Sequence, residues 1–219
     1  MAAAENGPGG SAADVMRLKE ALRTVGGLSD PRAMPELAWS LPARACRAGS
    51  RLAAVPGTAC SVCYAKKGHY SLPAVQRALE RRLAALDDPR WEAAMEKCVD
   101  ELVERWFRWF DSGDVQGTGH YRAILRVAAR TTRVSHWLPT QERRLVKRAG
   151  VAAVPENLVV RISGARIDGP PDKGWPWAGA VVSDKADATC VKHLHGGCCP
   201  PTCRACWDRG VALVKSPKH

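Results

Sequence analysis

The hydrophobic and polar positions of this chain alternate between helical periods and short strand-like runs from residue 14 to residue 183. Apolar residues spaced three and four positions apart predict helices, and short apolar runs closed by turn residues predict strands. The predicted helices cover residues 14–25, 72–86, 88–104, 120–130 and 140–148. The predicted strands cover residues 37–41, 105–110, 134–138, 157–163 and 179–183.

Strands that alternate with helices are typical of βα units on a parallel sheet. The 219 residues are few for a full barrel of ~250, so we predict an α/β fold, a partial or trimmed (β/α) barrel. In such folds the reactive residues lie where strands end and loops begin. We expect residues 1–12 to be a disordered tail and residues 13–219 to form one barrel-like metal-binding domain with cysteine-rich loops at both ends. Pro139 is expected to end the third strand.

Hydrophobic residues make up 46% of the chain, which allows a sizeable core, yet no apolar run approaches the ~18 residues of a membrane helix. Residues 1–10 lack the apolar stretch of a secretory signal, so we expect a cytoplasmic protein with no membrane partner. Disulfides are disfavoured in the cytoplasm, and nine cysteines there indicate metal or redox chemistry.

The net charge of +11 points to an acidic partner, and nucleic acid or a nucleotide is the usual one. An Arg-rich surface that is simply solvated is the alternative interpretation, because basic charge alone is a weak signal.

Eight of the nine cysteines form two groups whose short spacing lets several thiolates converge on a metal centre. We predict these eight as metal ligands: Cys46, Cys60, Cys63, Cys190, Cys198, Cys199, Cys203 and Cys206. The isolated Cys98 lies within a predicted helix and is expected in the core.

Iron–sulfur clusters of the 4Fe–4S type, one or two of them, are the predicted cofactor. A cluster held only by Cys46, Cys60 and Cys63 would leave one iron open, so this group is predicted to bind the cofactor that meets the substrate. Zinc is the alternative, and His193 and His195 near the second group favour it. The two groups could share one centre, and buried free thiols are the remaining interpretation.

Asp111, Ser112 and Asp114 follow a predicted aromatic strand, and we predict them as catalytic residues. Two carboxylates and a hydroxyl at a strand end can act as acid and base, or bind a metal or substrate. A capped turn is the alternative, because Asp-Ser-Gly-Asp suits turns and helix starts.

Five stretches resemble, in the same order, the gene product eighty-eight family of phages and mobile elements. They are AWSLPA at 38–43, CSVCYAKKG at 60–68, FRWFDSGD at 107–114, WLPT at 137–140 and CRACW at 203–207. The resemblance spans about residues 35 to 210 and implies a small barrel-like protein with cysteine groups at both ends, without implying a reaction.

The CxxCYA element at Cys60 and Cys63 also resembles part of the cluster loop of radical S-adenosylmethionine enzymes, which implies S-adenosylmethionine as a cofactor. The full Cys-x3-Cys-x2-Cys spacing of those enzymes occurs here only at Cys199, Cys203 and Cys206. Three functions are therefore consistent with the chain. They are an iron–sulfur enzyme acting on a nucleotide or nucleic-acid-related substrate, a metal-stabilised nucleic-acid-binding protein, and a metal-stabilised protein directed at a host target.

Overall fold

The computed structural model describes residues 16–218, so the predicted tail at residues 1–12 lies outside the described part of the chain. The α-helices are α1 (Leu18–Thr24), α2 (Arg47–Ala53), α3 (Pro73–Ala85), α4 (Trp91–Leu102), α5 (Thr118–Arg130) and α6 (Arg143–Ala149). The strands are β1 (Ala38–Trp39), β2 (Trp106–Trp109), β3 (Ser135–Thr140), β4 (Leu158–Ile167), β5 (Ala178–Val182) and β6 (Leu213–Pro217).

The strands form one parallel sheet of six strands in the order β1-β2-β3-β4-β5-β6, so each strand pairs with its neighbours in sequence. The predicted α/β class and parallel sheet are confirmed. Within residues 16–218, β1 and β6 are the two edges of an open sheet. The predicted barrel is therefore not confirmed.

One face of the sheet packs against helices and forms the main hydrophobic core. Phe107 and Trp109 of β2 and Leu138 of β3 are fully buried there. The aromatic rings of Trp39 and Trp91 meet edge to face at 5.1 Å and join β1 to α4. Strand residues alternate between faces, so the intervening positions must point to the opposite side.

The opposite face carries polar and charged side chains, which is unusual for a parallel sheet whose faces are both covered. Arg108 of β2, Trp137 of β3 and Arg161 of β4 lie on this face and line a cavity. Segments between the strands fold over this face, and helix α2 contributes Gly49 to the wall of the cavity.

Strand β3 continues through Pro139 to Thr140, so the prediction that Pro139 ends the strand is wrong. Ser135 donates its backbone N–H to Arg105 on the β2 side, and His136 donates to Asn157 on the β4 side. By this alternation the nitrogen of Pro139 faces β2, whose pairing with β3 ends at Trp137. The missing N–H therefore breaks no ladder hydrogen bond.

Two elements differ from the sequence expectations. The first of the two expected cysteine-rich loops, at residues 43–70, contains α2 and several short 3₁₀ turns. Strand β6 was not predicted, because Leu213–Pro217 has lysine, serine and proline in place of an apolar run. An edge position tolerates these residues, since only one side of the strand pairs with another strand. Across residues 16–218, no helix has the length and apolar character needed to cross a membrane.

Candidate metal centre

Cysteines from both groups line one cavity of about 290 Å³, although the two groups lie far apart in sequence. The six cysteines that line it are Cys46, Cys60, Cys63, Cys190, Cys199 and Cys206. The floor of the cavity is the polar face of the sheet, and its wall includes the loop that follows β2. The fold therefore brings six of the eight predicted metal ligands to one space.

Thr58 positions the first cysteine group. Its hydroxyl lies 2.7 Å from the backbone oxygen of Leu52 and 2.9 Å from that of Val55, at the end of α2. The same hydroxyl accepts a hydrogen bond from the backbone N–H of Ser61 at 3.1 Å. Thr58 thus closes the turn that returns Cys60 towards α2.

Gly49 of α2 packs directly against two of these cysteines. A Cβ atom at this glycine would lie 3.0 Å from Cβ of Cys46, 3.6 Å from its Sγ and 3.7 Å from Sγ of Cys60. Cys46 precedes α2 and Cys60 follows it, so the two sulfur atoms meet over the same small residue. A larger residue at position 49 would move at least one of them.

Arg161 anchors the second group to the sheet. This β4 side chain is 1% exposed, and its guanidinium donates to the backbone oxygens of four residues in the C-terminal segment. The acceptors are Ala205 at 2.6 Å, Val211 at 2.8 Å, Asp208 at 2.9 Å and Cys206 at 3.0 Å. A planar guanidinium suits this task because its five N–H donors are held in a fixed fork.

The remaining cysteines do not line the cavity. Cys198 is exposed, and its Sγ lies 3.8 Å from the backbone oxygen of Arg32. Cys203 is half-buried and close enough to Cys199 to affect its pKa. Cys98 is fully buried in α4, in agreement with its predicted place in the core.

In residues 16–218, no three His, Cys, Asp or Glu side chains are gathered closely enough to hold a single metal ion. His193, which kept zinc open as an alternative, points its Nδ1 at the backbone oxygen of Cys190, 2.8 Å away. The cavity thus contains sulfur atoms that can ligate a metal, but they are distributed over its lining and do not converge on one point.

The thiols of Cys46 and Cys60 are protonated at neutral pH. Burial raises the pKa of Cys46 to about 12, and Asp114, Cys63 and Cys60 add to the effect. Burial likewise raises the pKa of Cys60 to about 11, with help from Cys63 and Asp114. A bound cation would be needed to hold these groups as thiolates.

Cys206 shows the same behaviour in the second group. Burial raises its pKa to about 12 and Cys190 adds to the rise, whereas the positive charges of Arg161 and Arg108 oppose it. Burial also raises the pKa of Cys199, with Cys190 as the next cause. Each group of cysteines therefore lies within electrostatic reach of its own members.

Asp111 is held in place by hydroxyl groups. Its carboxylate accepts from the hydroxyl of Tyr70 at 2.7 Å and from that of Ser40, and its backbone oxygen accepts from the hydroxyl of Tyr64. These contacts join the loop after β2 to the end of β1 and to the segment that carries Cys63.

Ser112 belongs to the turn, as the alternative interpretation of this motif held. Its backbone oxygen accepts from the N–H of Leu41, and its hydroxyl donates to the oxygen of Leu41 at 2.9 Å. Gly113 has a positive φ of 83°, and a Cβ there would lie 2.5 Å from Cβ of Leu41. The predicted catalytic role of Ser112 gains no support from these contacts.

Asp114 is 4% exposed and accepts three hydrogen bonds. The donors are the hydroxyl of Thr140 at 2.6 Å and the backbone N–H groups of Gln141 and Val115, both at 2.8 Å. Burial raises the pKa of Asp114 to about 6 although these bonds favour its charged form. The carboxyl therefore exchanges its proton close to neutral pH, beside the first cysteine group.

A family model described as Gene product 88 matches residues 15–209, which is most of the chain. The chain belongs to the Gene product 88 family. The match confirms the predicted phage-type family and extends the resemblance towards the N-terminus. No curated protein and no solved structure matches the chain.

For this member of the Gene product 88 family, sequence reasoning missed Arg108, Trp137, Arg161 and Lys192, all of which line the cavity. A signal for two of them was present. Arg161 interrupts an otherwise apolar strand, and Arg108 alternates with Phe107 and Trp109. Each pattern indicates a charge that faces a polar space and not the core.

Proposed function

We propose that the cavity holds an iron–sulfur cluster and that the protein is an enzyme acting on a nucleotide or nucleic-acid-related substrate. The observation that carries this proposal is that six thiols from two distant parts of the chain line one space. Cysteine thiolates are the ligands of iron–sulfur centres, and six thiols that line one cavity exceed the four that one cluster needs.

The spread of the sulfur atoms favours a cluster over a single zinc ion. A tetrahedral zinc site needs all its sulfur atoms at ~2.3 Å from one point. In a cluster each thiolate binds a different iron, so the sulfur atoms lie farther apart. The dispersed arrangement in residues 16–218 agrees better with the second case.

In this proposal Cys46, Cys60 and Cys63 hold one set of irons, and Cys190, Cys199 and Cys206 hold another or complete the same centre. When bound, the cluster supplies electron transfer, and an iron without a cysteine supplies a binding position. Asp114 is suited to hold or release a proton at its Oδ atoms, because its pKa lies near neutrality. Asp111 is the residue that would orient a substrate at the cavity wall.

Anaerobic purification tests the proposal. We expect brown protein with broad absorption at about 400 nm and equal amounts of iron and acid-labile sulfide. Cys63→Ala should lose most of this iron, whereas the control Cys198→Ala should retain it, because Cys198 is exposed and outside the cavity. Colourless protein with stoichiometric zinc would show that the centre is a zinc site and not a cluster. Protein without metal or sulfide would refute a metal centre.

S-adenosylmethionine is the further cofactor implied by the resemblance of CxxCYA to radical enzymes. Calorimetric titration of S-adenosylmethionine into iron-loaded protein tests it separately. Binding that disappears in Cys63→Ala would support a cluster with an open iron at the first group. If S-adenosylmethionine does not bind, the proposal of a cluster stands and that of this cofactor is refuted.

The alternative function is a metal-stabilised protein that binds nucleic acid without catalysis. It is favoured by the net charge of +11 and by exposed Lys66, Lys67 and His69, which form no ion pair within residues 16–218. Fluorescence anisotropy with labelled single- and double-stranded DNA tests it. The alternative requires binding that weakens steeply with salt and weakens further in the Lys66→Gln, Lys67→Gln double variant.

A further inference from the structure

The charged residues that line the cavity are not paired with one another. Three are cationic, Arg108, Arg161 and Lys192, and two are carboxylic acids, Asp111 and Asp114. No salt bridge in residues 16–218 includes any of these five. Charges facing a low-dielectric space without a counter-charge are costly, so their partners need to be identified.

The carboxylates and one of the cations are satisfied by neutral groups. The acceptor atoms of Asp111 receive hydroxyl hydrogens, and those of Asp114 receive a hydroxyl and two backbone N–H groups. The guanidinium of Arg161 donates its hydrogen bonds to backbone oxygens. Neither carboxylate forms a salt bridge with Arg108, although the negative charge of Asp111 lies within electrostatic reach of it.

Arg108 is held rigidly but incompletely bonded. Its guanidinium lies 4.5 Å from the ring centroid of Trp137, stacked over the ring, and it hydrogen-bonds the hydroxyl of Tyr64. Its Nε is buried and has no hydrogen-bond partner, and the same is true of Nε1 of Trp137. Two unpartnered N–H donors thus belong to adjacent side chains that line the same cavity.

We infer that Arg108 and Trp137 form a binding subsite for the carboxylate or phosphate group of a small molecule. Both groups are planar or tetrahedral anions with several acceptor oxygens, which is what a guanidinium fork recognises. The cavity of about 290 Å³ is just below the ~300–1,000 Å³ usual for small-molecule sites. Its size therefore excludes a nucleic-acid duplex and fits a small anion.

The inference goes beyond the metal centre because it requires only side chains of the chain itself. Lys192 also lines the cavity and adds positive charge on the side of the second cysteine group.

Isothermal titration calorimetry at fixed ionic strength tests the subsite, with inorganic phosphate and acetate as separate probes. We expect one of them to bind saturably with one molecule per chain. Arg108→Gln should weaken that binding by about tenfold or more, since a charge-assisted pair is lost. Trp137→Phe, which keeps the ring and removes the N–H, should weaken it by a smaller factor. The tighter probe identifies the anionic group.

Arg209→Gln is the matched control. Arg209 also stacks over a tryptophan, 4.4 Å from the ring centroid of Trp177, but it does not line the cavity. Its replacement should leave binding unchanged. Circular dichroism checks that each variant is folded, and Arg108→Lys, which keeps the charge and loses the fork, replaces Arg108→Gln if that variant does not fold.

Two results would overturn the inference. One is that neither probe binds saturably to metal-free or metal-loaded protein, and the other is that folded Arg108 variants bind as the wild type does. Metal analysis of the same samples is independent of both results. Failure of the metal centre and failure of the anion subsite are therefore separate outcomes.

Discussion

Gly49 illustrates how a single residue sets the spacing of two cysteines. Alanine is a better helix former than glycine, so Gly49→Ala should strengthen α2. The added Cβ, however, would lie 3.0 Å from Cβ of Cys46 and would push it away. We expect the variant to bind iron about tenfold more weakly, because ligands must be held closely for metal affinity. The iron content of the variant and the wild type after anaerobic reconstitution measures this difference in iron binding.

Gly119→Ala is the control for this prediction. Gly119 lies in the first turn of α5 with no atom within 4 Å of the position that a Cβ would take. The substitution should stabilise the fold by about 0.5 kcal/mol and leave iron content unchanged. Loss of iron in both variants would show that Gly49 has no special role.

His136 is a second residue whose environment decides its behaviour. It is fully buried, and burial lowers its pKa to about 3. The hydroxyl of Thr131 donates to the oxygen of Val127, so Nε2 of His136 must carry the proton that it shares with Thr131. A second proton would have to go to Nδ1, which has no partner.

The depressed pKa of His136 predicts acid sensitivity. Below pH 6.5 the unfolded chain binds a proton at this residue and the folded chain does not, so the free energy of unfolding falls as the pH falls. We expect His136 to account for a loss of about 1 kcal/mol between pH 6.5 and 5.5. This part of the loss should be absent in His136→Phe, whereas the part due to His120, whose pKa burial also lowers to about 3, should remain. Urea denaturation at each pH measures it. Replacement of the exposed His69 by glutamine should leave the wild-type slope unchanged.

At the scale of elements, one side chain of β4, Arg161, connects the sheet to the segment of the C-terminal cysteines through four hydrogen bonds. Arg161→Lys keeps the charge, but an ammonium cannot reach four backbone oxygens from one place. We expect the variant to lose about 2 kcal/mol of stability. Hydrogen exchange should become faster at residues 203–211 before it changes in β3. Uniformly faster exchange across the sheet would contradict the anchoring role.

The sequence predicted most of these elements because each has a clear period. Helices α3, α4 and α5 were expected within a few residues of their observed bounds. Strand β6 was missed because its residues are stabilised by pairing with β5, and the local sequence pattern gives no sign of this pairing. The extension of β3 through Pro139 was missed for a related reason, since it depends on where the neighbouring strand stops.

At the scale of the whole molecule, the strand order brings together cysteines from the segment after β1 and the segment between β5 and β6. The sequence indicated two groups and left open whether they share a centre. Their meeting depends on how the two segments fold over the same sheet face. Spacing along the chain carries no information on that geometry, so the shared cavity could not be predicted.

Metal binding should release protons and stabilise the whole fold. The thiols of Cys46, Cys60 and Cys206 have raised pKa values, so each must lose a proton to become a ligand at neutral pH. We expect about one proton per ligating thiol in weakly buffered titrations, and apparent affinity that rises with pH. Chelation should lower the unfolding free energy by about 4 kcal/mol when metal exceeds its Kd a thousandfold. Iron that binds without proton release would argue for ligands other than these thiols.

The segment that carries Cys190 has a second role at the edge of the sheet. Its backbone N–H groups at Thr189 and Cys190 donate to the oxygen of Lys215 in β6, at 3.0 and 2.9 Å, and Lys215 donates to the hydroxyl of Thr189. This segment covers an edge that would otherwise be open to pairing with another chain. Any event that detaches the segment from β6, such as oxidation of its cysteines, would therefore also expose an edge at which two chains could associate. The solubility of the protein would then depend on whether these cysteines are reduced or oxidised.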